Sequence, residues 1–380
     1  MTTGNPVLDD LLARARSHGV SDLHITAGHR PLMRLQGRLE PVDGPMLDED
    51  AVQAVRDSLL AAGTGEALGE ANDLDFARTL NDGERYRVNA YQTLNGSALA
   101  IRRLPTEPPP LENLPAPEVV RDLGARESGL ILVTGPTGSG KSTTLAALID
   151  RINATRRQHV ITIEDPIEYV HAHKECLINQ REVGRHTDSF HAALRGALRE
   201  DPDVVLVGEM RDLETISLAL TAAETGQLVL ASMHTPTAPQ AIDRILDVFP
   251  GQEKELIRSM LSTALTAVVT QRLLPGRDGG RVAAMEVMLG TSAVRNQIRE
   301  GKIPQLHQSM ELGHQAGMRT MSQAVQTLVD NAYIDTATAE QWTAAFDNSG
   351  QQDQQRQAGS STQAEPEPPG RRRGRVSRSF

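Results

Sequence analysis

Apolar positions along this chain follow two different periods before they thin out. Val7, Leu8, Leu11, Leu12 and Ala15 recur at helical spacing, so residues 5–18 are predicted to form an amphipathic helix. Asp22-Leu23-His24-Ile25-Thr26 then alternates as a half-buried strand does, and Met33 and Leu35 continue the alternation up to a turn at Gln36-Gly37. Asp48 stands where a second helix needs its N-cap. Three strand-like runs follow, Asp73–Leu80, Glu84–Thr93 and Ser97–Leu104, separated by the hairpin signals Asn81-Asp82-Gly83 and Asn95-Gly96. Helix, strands, helix and meander predict a small α+β domain over residues 1–103.

Residues 105–117 hold six prolines, which fix φ and extend the backbone, so 104–117 read as a semi-rigid linker. Past it the pattern changes. Continuous apolar runs such as Leu130–Val133, Val160–Ile163, Val204–Val207 and Leu228–Leu230 alternate with helical stretches, the mark of an α/β domain with a parallel sheet. The alternation is predicted to last to about residue 235 and to give way to helices as far as 346. Residues 347–380 are rich in Gln, Ser and Pro, end in Arg371-Arg372-Arg373-Gly374-Arg375, and offer too little apolar surface to offset the cost of ordering. They are expected to be disordered.

Composition narrows the function classes. A net charge of −10 and 3% aromatic residues argue against a single-stranded nucleic-acid groove, which favours basic walls and stacking rings. One cysteine, Cys176, excludes a disulfide framework and any four-cysteine zinc site; its neighbours His171 and His173 fit no common zinc spacing. No apolar run approaches the about 20 residues that a bilayer span takes, and the N-terminus MTTGNPVLDD has neither the basic nor the apolar part of a signal peptide. The chain is expected to be cytoplasmic.

The chemistry concentrates after the predicted strand Leu130–Val133. Gly135-Pro136-Thr137-Gly138-Ser139-Gly140-Lys141-Ser142-Thr143 has the form G-x-x-x-x-G-K-[ST]. Its glycines let backbone N–H groups converge on phosphate oxygens, and the following helix turns its positive end toward the same anion. Lys141 would reach the β- and γ-phosphates of ATP, and Ser142 would ligate Mg²⁺. Only four lysines occur in the chain, which makes one at this position more telling.

Three more strands end in Glu164-Asp165-Pro166, Gly208-Glu209 and Ser232-Met233-His234. Ligands of open α/β sheets bind at the carboxyl ends of the strands, so these groups should gather around the phosphate loop. Hydrolysis of a phosphoanhydride needs a metal, a group that positions water, and positive charge at the γ-phosphate. Glu209 is a candidate metal ligand together with Ser142, Glu164 a candidate for orienting or deprotonating water, and His234 a candidate γ-phosphate sensor. Sequence alone leaves the order of the two glutamates open.

The run from Leu194-Arg195 through Arg199-Glu200-Asp201-Pro202-Asp203, Gly208-Glu209-Met210-Arg211-Asp212 and Glu214-Thr215 closely resembles the signature of the type II secretion/type IV pilus ATPases. Ile163–Tyr169 resembles that family's acidic box, and Thr225-Gly226 through His234-Thr235 its histidine box. Gly19 to His24, Glu84 to Asn89 and the 293–300 segment are similar to the twitching-motility (pilus retraction) branch, with departures at Val294 and Gln297. The absence of a four-cysteine motif and the single N-terminal domain fit the same branch.

The resemblance implies a PAS-like N-terminal domain and a RecA-like P-loop ATPase domain over 118–346. It further implies a homo-hexameric motor that hydrolyses ATP with Mg²⁺ at the cytoplasmic face of the inner membrane and acts on a pilus platform protein and, through it, the pilin filament. Arg87 and Arg102 match positions that act across the subunit interface in that family, as arginine fingers do. Alternatives are an assembly or secretion ATPase of the same family, a nucleic-acid translocase with a RecA-like core, and a nucleotide-binding accessory subunit that does not turn over. No nucleic-acid partner is expected.

Overall fold

The computed structural model describes residues 5–343 except 19, 21, 36–37, 62–72 and 81. The turn at Gln36-Gly37, the Asn81 hairpin position, Gly19 and the tail from 347 lie outside the described residues.

The N-terminal unit is a six-stranded antiparallel sheet flanked by two helices. Strands β1 (Asp22–Thr26), β2 (Leu32–Leu35), β3 (Arg38–Pro41), β4 (Asp73–Thr79), β5 (Arg85–Thr93) and β6 (Gly96–Leu104) lie in the order β3-β2-β1-β6-β5-β4. The helix Pro6–Ser17 starts where the Asn5 side chain accepts the amides of Val7 and Leu8 at 3.0 and 3.1 Å. Its buried stripe is Leu8, Leu11 and Leu12, while Val7 is left exposed. Asp48 accepts the Ala51 amide at 2.9 Å and so caps the helix Glu49–Ala61. Both helices share one core with Leu23, Ile25, Val88, Leu99 and Ile101. Because strand side chains alternate, burying Tyr86, Val88 and Ala90 turns Arg85, Arg87 and Asn89 to the opposite face.

Seven strands build the second sheet: β7 (Gly129–Thr134), β8 (His159–Glu164), β9 (Leu177–Glu182), β10 (Val204–Val207), β11 (Leu228–Met233), β12 (Leu265–Pro275) and β13 (Arg281–Leu289). Their order is β13-β12-β7-β11-β10-β8-β9, and only β13 runs antiparallel to its neighbour. Apolar clusters fill both faces, which is why β7, β10 and β11 are continuous apolar runs buried throughout.

Two expectations need correction. The stretch expected to be all helix beyond 235 contains the hairpin β12–β13. Most of β12 is buried on both faces, so it shows no period-two pattern; the turn residues Asp278-Gly279-Gly280 were the available signal. The linker is also more than a spacer. Residues Leu111–Asn113 form a 3₁₀ turn, and Leu111 (1% exposed) and Ala116 insert into the core beneath the helix Lys141–Thr155.

Candidate active site

The strand order decides what meets what. β7, β11, β10 and β8 are consecutive neighbours, so their carboxyl ends present the 135–140 loop, His234, Glu209 and Glu164 in one row. The loop glycines carry the left-handed backbone that the motif requires, with φ of +138° at Gly135, +77° at Gly138 and +90° at Gly140. At Gly135 a Cβ would lie 2.3 Å from the Gln271 carbonyl, so no other residue fits there. The helix Lys141–Thr155 begins at Gly140 without a side-chain cap, leaving its first amides directed at the cleft.

Lys141 donates from Nζ to the carbonyls of Gly135 (2.9 Å) and Pro136 (3.0 Å) and lies 3.4 Å from His234 Nδ1. An ammonium has no acceptor, so His234 Nδ1 must accept and the ring proton sits on Nε2. That nitrogen faces Glu209 Oε1 at 3.3 Å. Glu209 is in turn clamped by Arg211, whose Nε meets Oε1 and whose Nη2 meets Oε2 at 2.6 Å. Burial pulls the Lys141 ammonium below its ordinary value, with the Glu209 charge opposing.

Glu164 sits in a different environment. Burial lifts its carboxyl from 4.5 to about 7, although hydrogen bonds from Thr162 Oγ1 (2.7 Å) and Gln180 Nε2 (3.1 Å) favour the ionised form. A carboxylate that titrates near neutrality is matched to accepting a proton from water. The strand-end acid of β10, Glu209, follows a glycine at a position where a side chain would be crowded by β8. A Cβ there would lie 3.0 Å from the Ile163 carbonyl and 3.2 Å from Glu164 Cα.

These groups line one cavity of about 540 Å³, a size suited to a small ligand. Thr137, Gly138, Lys141, Ser142, Glu164, Glu209 and His234 all contribute to its wall, as does Arg87 from the N-terminal unit. Pro136, Ser139, Gly140 and Thr143 shape the loop around it; Ser139 is buried and Thr143 bonds the Tyr169 hydroxyl at 2.9 Å. Arg102 stands apart from the cavity. It is the cross-strand neighbour of Arg87 on the same sheet face, but its partner is Asp22 at 2.6 Å and its side chain is 62% exposed. Arg87 is held by Asp75 through two bonds, 3.0 and 2.5 Å, and approaches Glu168 at 4.0 Å.

The sequence alone assigns no role to Thr162, Gln180 and Arg211, which hold the two glutamates, or to Asp75, which holds Arg87. Thr162 was legible, since it shares a strand face with Glu164. Gln180 lies opposite Thr162 only through the β8–β9 register, which no local pattern announces.

A phosphate loop on the inner strand of a RecA-like sheet, with a near-neutral carboxylate, a second acid and a histidine on the adjoining strand ends, defines a P-loop ATPase. A family model described as type II/IV secretion system protein matches residues 77–363, and the chain belongs to that family. It is 46% identical over 332 residues to the type IV pilus retraction ATPase PilT of Pseudomonas aeruginosa, spanning 87% of this chain and 96% of that one. It is 49% identical over 305 residues to a twitching motility protein of Neisseria gonorrhoeae, spanning 80% and 82%. A crystal structure of the pilus retraction motor PilT with bound ADP superposes with a TM-score of 0.78 at 44% identity, covering 87% of this chain and 95% of that one.

Proposed function

We propose that this chain is a motor ATPase of pilus retraction, working as a hexamer at the cytoplasmic face of the inner membrane on the pilus platform and, through it, the pilin filament. The observation that carries the reading is the convergence of Lys141, Glu164, Glu209 and His234 in one cleft, in a chain similar along most of its length to a retraction ATPase. Among the described residues no helix is long and apolar enough to cross a membrane, so a link to the membrane would run through a partner.

In this reading the loop amides and Lys141 bind the phosphates of ATP. Glu164 takes a proton from the attacking water, and burial places its affinity for that proton near neutrality. Glu209 holds His234 in one tautomer against Lys141, so that movement of the lysine toward phosphate is felt along the row to Arg211. The donors here are hard oxygens, Ser142 and Glu209, which suit Mg²⁺. Among the described residues no three His, Cys, Asp or Glu form a cage, so phosphate oxygens and water would complete the shell. Both Glu209 oxygens already take donors, so Glu209 would hold the ion through water. Bound there, the ion would neutralise charge developing on the phosphates.

Arg102, exposed on its sheet face, suits a role across a subunit interface. For Arg87 a second reading is favoured by its position: it lines its own chain's cleft, so it would serve the site in cis. The test of the proposed activity is phosphate release by the purified full chain. Sustained turnover that Lys141→Ala abolishes is expected; absence of turnover by the wild-type chain would refute it.

A further inference from the structure

The two domains meet in a buried contact that takes no part in the steps above. Arg85 opens β5, faces away from its own domain's core and is only 9% exposed. Its Nε and Nη2 donate to the Ile167 carbonyl at 3.2 and 3.0 Å, and Nη2 lies 3.4 Å from Glu182 Oε2. That same carboxylate oxygen, at the end of β9, accepts the Ile167 amide at 3.1 Å. The N–H and C=O of one residue are thus held by an ion pair whose halves come from different domains.

Ile167 is three residues from Glu164, and the segment between them carries further ties. Gln180 Nε2 donates both to the Tyr169 carbonyl (2.9 Å) and to Glu164 Oε1 (3.1 Å). The Tyr169 hydroxyl reaches Thr143 on the first turn after the phosphate loop. A shift of the N-terminal domain therefore pulls on Ile167, and through Tyr169 and Gln180 on the catalytic carboxylate. Buried ion pairs add little net stability over apolar residues of the same size, so stability alone gives a weak reason to place one here.

We propose that Arg85 and Glu182 are positioning residues for Glu164, which make its placement depend on how the N-terminal domain is docked. The proposal rests on Glu164 acting as the base. Misplacement of a reacting group by about 1 Å costs about a hundredfold in rate.

The experiment compares full-length wild type, Arg85→Gln, Arg85→Lys, the Arg85→Gln/Glu182→Gln double variant and Glu164→Gln. Turnover, KM for ATP, binding of a non-hydrolysable ATP analogue and amide hydrogen exchange across 166–169 are measured. Arg85→Gln is expected to lower kcat at least tenfold, leave analogue affinity within threefold, and speed exchange at Ile167. Arg85→Lys should recover part of kcat, since one donor to the carbonyl remains. The double variant leaves no buried unpaired charge and guards against a folding defect; it should show the same loss of kcat. Wild-type kcat in Arg85→Gln or in the double variant would overturn the proposal. So would a parallel loss of kcat and analogue affinity, which marks general disruption. Native turnover by Glu164→Gln would instead remove the assignment of the base, while exchange at Ile167 would still report whether the tie exists.

Discussion

Glu164→Gln separates two consequences of burying one carboxylate. In the folded chain the group titrates at about 7 instead of 4.5. At about 1.4 kcal/mol per pH unit, that rise corresponds to a penalty of about 3 kcal/mol for keeping the carboxylate ionised in place. The two donors to Oε1 come from Thr162 and Gln180, and a glutamine oxygen can accept both. A carboxyl whose folded value is raised contributes its stability below the unfolded value and loses it as pH rises through the folded one. The variant is neutral at every pH and escapes that loss. Its stability relative to wild type should be near zero at pH 4.5 and reach about 1–3 kcal/mol in its favour by pH 8, read from paired urea titrations. Activity should move the other way. At pH 8 the variant should bind nucleotide but hydrolyse it at least about a hundredfold more slowly, the range general-base removal gives. Wild-type kcat should fall about tenfold per pH unit below about 7 as Glu164 takes up its proton. A variant less stable than wild type at pH 8, or one within threefold of its turnover, would refute the reasoning.

Lys141→Ala removes the ammonium that Gly135, Pro136 and His234 hold at the loop; affinity for a fluorescent ATP analogue should drop by at least about tenfold, the effect of losing one charged hydrogen bond. Gly208→Ala sets a methyl 3.2 Å from Glu164 Cα and should lower kcat at least about tenfold with little change in melting temperature, as expected of a sub-ångström displacement at the reacting group; unchanged kcat would show that the carboxylate tolerates it. Arg102→Ala subunits mixed with Lys141→Ala subunits should regain turnover if Arg102 acts on a neighbour's nucleotide. Arg87→Ala subunits in the same mixture should not, if Arg87 serves its own cleft; equal recovery would place both arginines in trans.

Much of this site can be read without coordinates because it lies where local rules are strong. The phosphate loop needs positive-φ glycines at fixed offsets, and each strand that carries Glu164, Glu209 or His234 is an apolar run with a polar end. What stayed hidden depends on contacts far apart in sequence. Gln180 meets Glu164 through strand register, and Arg85 meets Ile167 across a domain boundary 82 residues away. Why glycine stands at 208, ahead of Glu209, also shows only in the packing of β8 against β10, where a Cβ would crowd the Ile163 carbonyl and Glu164 Cα. The β12–β13 hairpin was missed for a related reason. A strand buried on both faces loses the alternation that identifies strands, and β12 follows directly on the helix Lys254–Ala264. The linker misled in the opposite direction: proline density predicts extension, but Leu111 and Ala116 between the prolines anchor it in the core.

The central claim is that hydrolysis at this cleft drives retraction of a pilus, and live imaging of labelled filaments in cells whose own copy carries Lys141→Ala tests it most directly. Filaments should extend normally and fail to shorten, and the cells should bear many pili and not move by twitching. Retraction at the wild-type rate in those cells, or loss of pilus extension, would contradict it.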